Sequence, residues 1–429
     1  MTEAVTVDAA RATALATLDA VLARPPAQLE AALERAAGRF GPDARDRGFA
    51  RVLVTTVLRR KGQLDGVLRR YVKFMPDALV AQNLLRLGAA QLLLLETPAH
   101  AAVSATVALA RSQKRPEAGL INAVLRKVAA ERPKLPSPQK NAPPWLWQSW
   151  VEAYGEDVAR AIGAAHLEEP PLDLTVPVDR AAWAERLGGQ LVGPATVRLE
   201  HAGLVPDLPG FAEGAWWVQD VAATLPVSSL GEVQGLRVLD VGAAPGGKTA
   251  QLAAGGARVT AVEADAGRAS RLRENLARLR LEVDVVVCEL ADFDAQQPFD
   301  VVLIDAPCTA TGTIRRHPDI PWHRSAKDVI TQAAKQRAML DLAPALLRPG
   351  GRLVFATCSL QPEEGEALVA AWLAATPAVR RVAAVVDPPA SLHLRSDAVG
   401  QWRTLPHAIP GGMDGFFFAH FERSSETHD

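Results

Sequence analysis

Two cysteines stand where a sheet could present them to a ligand. Cys308 lies in VVLIDAPCTATG (301–312) and Cys358 in LVFATCSLQPEEGE (353–366), and each follows a β-rich apolar run and opens a loop or helix. Open α/β sheets bind ligands just outside the carboxyl ends of their strands. A thiolate there is a strong carbon nucleophile once a neighbouring group activates it. The chain has only three cysteines, which fits disulfide scaffolding poorly and covalent chemistry beside a bound cofactor well. The third, Cys288, sits inside the apolar run VVVCE and reads as a small buried hydrophobe.

The cofactor would sit in VLDVGAAPGGKTAQLAA (238–254), a strand, a glycine-rich turn and a helix start. In Gly242, Ala243, Ala244, Pro245, Gly246, Gly247 and Lys248, the glycines permit close backbone approach. The following helix N-terminus offers free N–H groups. The spacing also satisfies GxxxxGK[ST] through Thr249, but a phosphate-binding loop would need a second acidic strand for Mg²⁺ and has no use for two downstream thiols. Glu263, ending the next strand, can accept ribose hydroxyls as in dinucleotide folds, with Asp265 the fallback. Glu289 or Asp292, after the third strand, is placed to face an adenine amino group.

These residues need a scaffold, and its pattern is visible. Strands are expected at 236–242, 257–265, 283–289, 299–307 and 351–359, with long helical runs at 266–280 and 325–347 and a terminal strand at 415–423. Apolar runs such as VVLI, without alternation, suit strands buried on both faces. The alternation of strand and helix predicts a Rossmann-like α/β domain with a mostly parallel sheet over 215–429; the terminal strand would add antiparallel. Residues 9–131 carry apolar positions at three- and four-residue spacings, such as Leu15, Leu18, Val21 and Leu22. They predict an all-α domain over 1–135. Between them, 136–214 reads as a linker and small α+β module, and the proline-rich stretch 132–144 is expected to be extended. The whole is a multi-domain chain.

The 429 residues are 48% hydrophobic and 22% charged, an ordinary balance for globular domains. Net charge is −1, split as +9 in residues 1–135 and −10 in the remainder. A basic first third suits a polyanion partner. No signal peptide or membrane span is expected, and scarce cysteine suits a reducing, cytoplasmic setting. The nine histidines are scattered with no zinc-type spacing, so no metal is expected.

The motifs AAPGGKT, DAPCTATG with RRHPDI behind it, and ATCSLQPEEGE closely resemble those of S-adenosylmethionine-dependent RNA cytosine-5 methyltransferases. WVQDVAAT (217–224) resembles that family's lead-in to the first strand, while RLGAAQLLLLETPAHAAV and GLINAVLRK resemble a NusB-like domain. The combination is similar to the bacterial 16S rRNA cytosine-5 methyltransferase B (Sun/Fmu) family over nearly the whole chain. The resemblance implies S-adenosylmethionine as methyl donor and 16S rRNA as substrate. It implies Cys358 as the attacking thiol and Cys308 as the group assisting release, the reverse assignment being that of DNA cytosine-5 methyltransferases. Asp305 would hydrogen-bond the base near N3, and Lys248 would hold the base or lower a thiol pKa. Arg315, Arg316 and His317, following the Cys308 loop, are expected to meet RNA phosphates or flanking nucleotides. A monomer is expected. The competing readings are methylation of another RNA (tRNA or 23S rRNA), or a non-catalytic NusB-like RNA-binding factor.

Overall fold

The structure, a computed structural model, describes residues 8–397 and 399–425. They divide into two compact units. The first takes residues up to Val151, Glu156–Leu167 and His317–Arg324; the second takes Glu152–Gly155, Glu168–Arg316 and the chain from Ser325 onward.

The first unit is built on α1 (Ala9–Val21), α2 (Leu29–Phe40), α3 (Ala44–Leu68), α4 (Leu79–Leu93), α5 (Ala99–Ser112) and α6 (Ala118–Glu131). Asp8 and Asp43 cap α1 and α3 by accepting the backbone N–H groups of Arg11 and Asp46, satisfying donors that a helix start leaves unpaired. The apolar spacing forms a core that includes Leu15, Leu18, Leu53, Val57, Leu84, Leu85, Ile121 and Leu125. A buried Arg86 is neutralised by Asp65 at 2.7 and 3.0 Å.

Two features of this unit were not legible in the periodicity. The proline-rich 132–144 segment, expected to be extended, makes a 3₁₀ turn at Pro138–Asn141 that lies on α3. Gln63 Nε2 donates to Pro136 O (2.7 Å), and Asn141 Oδ1 accepts from Gln63 N (2.9 Å). Gly62 permits the approach, since a Cβ there would stand 1.6 Å from Lys140 O. Then His317–Arg324, far along the chain, packs within this helical unit. Trp322, in the short helix Ile320–His323, donates its indole N–H to Leu58 O at 3.0 Å with Lys61 Nζ 4.2 Å above its ring. His323 meets Val21 O at 2.8 Å.

Helices α7 (Pro144–Tyr154) and α8 (Glu156–Ala165) follow. The second unit opens with β1 (Leu172–Thr175), α9 (Arg180–Leu187), β2 (Gln190–Val192), β3 (Thr196–Leu199) and β4 (Trp217–Val218), a four-stranded sheet in the order β2-β3-β1-β4. After α10 (Val221–Ser228) come β5 (Arg237–Val241), α11 (Gly247–Ala254), β6 (Arg258–Val262), α12 (Ala266–Leu279), β7 (Asp284–Val286), β8 (Phe299–Asp305), α13 (Ile320–His323), α14 (Ala326–Leu346), β9 (Leu347–Thr357), α15 (Glu366–Ala374), β10 (Val379–Arg381), β11 (Arg395–Ser396), β12 (Gln401–Arg403) and β13 (Phe417–Arg423). The sheet runs β11-β12-β13-β9-β8-β5-β6-β7, with β10 on β13. The five strands β9-β8-β5-β6-β7 are parallel, and β13 adds antiparallel to β9 as the terminal pattern predicts. The expected Rossmann-like sheet is present. Strand order reverses between β5 and β8, the switch point where such sheets bind ligands. The third expected strand is cut to Asp284–Val286, leaving Cys288 half-buried in the loop beyond. Among the described residues, no helix is long and apolar enough to cross a membrane.

On β13, His420 is fully buried, its Nε2 2.8 Å from Ser229 Oγ and its ring edge-on to Trp402. Burial, with Arg352 nearby, holds its pKa down at about 3. The folded imidazole therefore stays neutral where the unfolded one gains a proton below about 6.5. Stability is lost as pH falls from there toward 3, by up to about 1.4 kcal/mol per pH unit from this group. His420→Gln should flatten the drop in melting temperature between pH 7 and 5; equal slopes for the two proteins would refute the assignment.

Candidate active site

Three strand ends deliver the predicted chemistry to one edge. β5 runs into the glycine turn, and at Gly242 φ is +76°. A Cβ at that position would lie 2.4 Å from Asp305 O, so only glycine lets the turn close over the end of β8. Ala243, Ala244 and Gly246 are buried, Pro245 is exposed, and Gly246 and Gly247 open α11. Beneath the turn Asp240 is fully buried: Oδ2 accepts from Thr249 Oγ1 at 2.6 Å, and Oδ1 has no partner. Burial drives its pKa up to about 7, against the Thr249 hydrogen bond.

Glu263, at the end of β6, is 3% exposed. It accepts from the backbone N–H of Ala244 (3.2 Å) and of Asp265 (3.1 Å), and from Arg268 Nη1 (3.3 Å). It thereby ties the glycine turn to the second strand. Asp265 instead caps α12 through Arg268 N, which explains its presence without a ligand. Glu289 and Asp292 are both exposed around a 3₁₀ turn beyond β7. Burial and then the charges of Asp292 and Glu289 push the Cys288 thiol up, as expected of a cysteine that stays protonated.

At the centre, Lys248 Nζ is 2.8 Å from Asp305 Oδ2. Lys248 is almost wholly buried, with Nζ 5.0 Å from the Phe416 ring centroid, while Asp305 keeps about a third of its side chain open. Cys308 Sγ and Cys358 Sγ are 3.3 Å apart, both half-buried. The hydrogen bond with Cys358, then burial, pushes the Cys308 thiol well above its usual range. Cys308 therefore stays protonated and can donate its S–H to Cys358 Sγ.

Sequence reasoning missed the residue under both thiols. Glu364, in the 3₁₀ turn Pro362–Glu364, is fully buried. It accepts from Thr309 N (2.8 Å), Thr309 Oγ1, Ser359 Oγ (2.5 Å) and Gln336 Nε2 (3.2 Å). The acidic run PEEGE was visible, but nothing in its spacing distinguishes a buried acceptor from a solvated turn.

The expectation for Arg315 and Arg316 is corrected. Arg316 donates to Asp220 (2.6 Å) and Asp414 (3.2 Å), and the 2%-exposed Arg315 reaches the same two carboxylates at 3.3 and 3.5 Å and Gly411 O at 2.8 Å. Burial opposes ionisation of Asp220, but Arg316 and Arg315 outweigh it and hold the carboxyl below its usual range. These guanidinium groups are committed to an internal ion-pair knot and are not free for phosphate. His317 is exposed and belongs to the helical unit.

The chain is similar to known proteins over most of its length. Residues 227–422 match the family model for 16S rRNA methyltransferase RsmB/F, and residues 8–130 match that of the NusB family. A ribosomal RNA small subunit methyltransferase B of Pseudomonas putida is 37% identical over 408 residues, covering 88% of this chain and 90% of that protein. One from Xanthomonas campestris is 37% identical over 407 residues, covering 89% and 90%. A crystal structure of a methyltransferase homologue from Pyrococcus horikoshii aligns with TM-score 0.52 at 26% identity, covering 64% of this chain and 93% of its own.

The raised Asp240 pKa has a measurable sign. Between about pH 4, where an unfolded aspartate ionises, and about 7, only the folded carboxyl keeps its proton, so stability falls as pH rises through that window. Asp240→Asn should gain melting temperature relative to the parent at pH 8 and lose that advantage at pH 4.5. A pH-independent difference would show that the carboxyl is already ionised in the fold.

Proposed function

The chain belongs to the RsmB/F family of 16S rRNA methyltransferases carrying a NusB-family region, and from that premise we propose that it methylates C5 of a cytosine in 16S rRNA through a transient bond to Cys358. It is an S-adenosylmethionine-dependent enzyme. The observation that carries the covalent route is the 3.3 Å separation of two thiols beside the Lys248–Asp305 pair.

The donor set suits a nucleoside with a charged sulfur. The turn at Gly242 to Gly247 has no room for a side chain at its first position, and Glu263 stands at the ribose end. Three donors already occupy the Glu263 carboxylate, and the outermost belongs to Arg268, which is 55% exposed. We assign the ribose to the position that Arg268 yields, and the adenine edge to Glu289 or Asp292. When bound, S-adenosylmethionine supplies an electrophilic methyl group.

The protein's own residues do the rest. Cytosine C5 is a poor nucleophile. Addition of Cys358 Sγ, as its thiolate, to C6 opens the C5–C6 double bond and makes C5 enamine-like. C5 would take the methyl as the donor's S–CH₃ bond breaks, and loss of the C5 proton to solvent with expulsion of the thiolate would restore the double bond. Asp305, held by Lys248, hydrogen-bonds the base near N3 and stabilises charge as sulfur adds. Cys308, kept as a thiol, hydrogen-bonds Cys358 before attack and assists release afterwards. The target must leave its stack to reach this edge.

RNA attraction is assigned to the helical unit. Arg69, Arg70 and Lys73 are exposed, and none takes part in an ion pair among the described residues; cations of this kind supply salt-dependent affinity.

Cys358→Ala should abolish methyl transfer while S-adenosylmethionine binds within twofold of the parent; retained turnover would overturn the nucleophile assignment. Cys308→Ala should accumulate a protein–RNA adduct on a denaturing gel, and turnover with no adduct would remove its release role. Replacing Arg69, Arg70 and Lys73 with Glu should weaken rRNA binding about tenfold or more at moderate salt, with donor binding unchanged; unaltered rRNA affinity would place the contact elsewhere. Bisulfite sequencing after gene deletion should lose one 16S cytosine mark, whereas loss from tRNA or 23S rRNA alone would shift the substrate.

A further inference from the structure

We propose that Glu364 is the positioning residue that sets the distance between the two thiols. One carboxylate takes hydrogen bonds from the residues that flank both of them. On the Cys308 side it accepts from Thr309 N and Thr309 Oγ1; on the Cys358 side it accepts from Ser359 Oγ. Its own backbone C=O accepts from Thr357 Oγ1 at 3.1 Å, so both neighbours of Cys358 are tied to Glu364. Gln336 on α14 closes the set: Nε2 reaches Glu364 Oε1 at 3.2 Å and Pro307 O, just before Cys308, at 2.9 Å.

Further hydrogen bonds link the two loops. Thr309 Oγ1 and Thr311 Oγ1 each lie 3.2 Å from Ser359 Oγ, and Gly312 N donates to Cys358 O at 2.9 Å. On the far side Arg403 is 2% exposed, paired with Glu366 and donating to Ser359 O. Glu364 itself touches no position open to substrate. Burial pushes the Glu364 pKa up, and the hydrogen bonds from Ser359, Thr309 and Gln336 oppose that by favouring the charged form. The Thr309 N–H and the Gln336 Nε2–H₂ group can only donate, and two hydroxyls complete four donors on two oxygens. A carboxylate accepts all four, whereas a carboxamide offers one acceptor oxygen and turns its own N–H₂ toward the hydroxyls. Charge-assisted O–H···O⁻ bonds are also the shorter kind, so Glu364→Gln should lengthen the link that holds Ser359 and Thr309 together, and with it the sulfur–sulfur gap.

The inference rests on Cys308 and Cys358 working as a pair, and it can be tested apart from that reading. In a Cys288→Ser background only these two thiols remain. Oxidation by diamide, which takes up two hydrogens as the two S–H groups become one S–S bond, reports their spacing with no RNA present. Peptide mass spectrometry should show Cys308–Cys358 linkage forming at least tenfold more slowly in Glu364→Gln than in the parent. In parallel, kcat should fall tenfold or more with KM for S-adenosylmethionine unchanged. Thr309→Val, which removes one hydroxyl donor and keeps the shape, should lie between the two in both assays and supplies the test if Glu364→Gln does not fold. An unchanged linkage rate in either folded variant overturns the proposal, including the case where kcat falls without it. Should Cys358→Ala retain methylation, the covalent reading fails while the linkage rates still decide the role of Glu364.

Discussion

The parallel pairing of β8 with β9, which sets Asp305 opposite Ala356, is the constraint on which the rest of the site depends. Neighbouring strands stand about 4.8 Å apart. Cys308 follows Asp305 by three residues and Cys358 follows Ala356 by two, so both thiols leave the sheet at one place. Strand register brings both thiols to one place, and contacts between the two loops then set their 3.3 Å separation. The pairing of β5 with β8 on the other flank brings the glycine turn to the same edge, and Gly242 lets Lys248 come within 2.8 Å of Asp305.

Around this edge the protein buries several ion pairs. Asp173 holds Arg198 at 2.7 and 2.8 Å and also accepts from Val221 N, joining the small sheet to the start of α10. Asp220 and Asp414 share Arg315 and Arg316. Buried ion pairs are weak evidence for net stability, but removing one partner strands the other at a cost of about 3–5 kcal/mol. Such groups hold backbone segments in one arrangement, and here the segments are the loops that carry Cys308, Cys358 and the lead-in at 217–220. Glu364 follows the same logic with hydroxyl and amide donors in place of arginine.

This accounts for the unequal success of sequence reasoning. Types and spacing located the glycine turn, Glu263 and the two cysteines at one edge, because strand periodicity and the strand–turn–helix order locate carboxyl ends without knowledge of packing, and the family resemblance added Asp305 and a role for Lys248. Arg315 and Arg316 misled, since a basic pair beside the Cys308 loop looks the same whether its counter-ions are phosphates or Asp220 and Asp414, which lie 95 and 99 residues from Arg315 on either side. Glu364 was missed because burial of an acid in PEEGE depends on Thr309 and Gln336, which local spacing cannot supply. The insertion of Trp322 among the first unit's helices was equally invisible, being a contact over 264 positions.

The amino-acid sequence by itself determined the helical first third and the mostly parallel sheet, which follow from periods of 3.6 and 2 residues, and it supplied the candidate site residues through motif spacing and family resemblance. Tertiary structure alone decided which charges face inward, which linker is pinned and how far apart the sulfurs stand. Those outcomes depend on pairings between distant positions, where desolvation makes a partner obligatory but local sequence does not say which partner it will be.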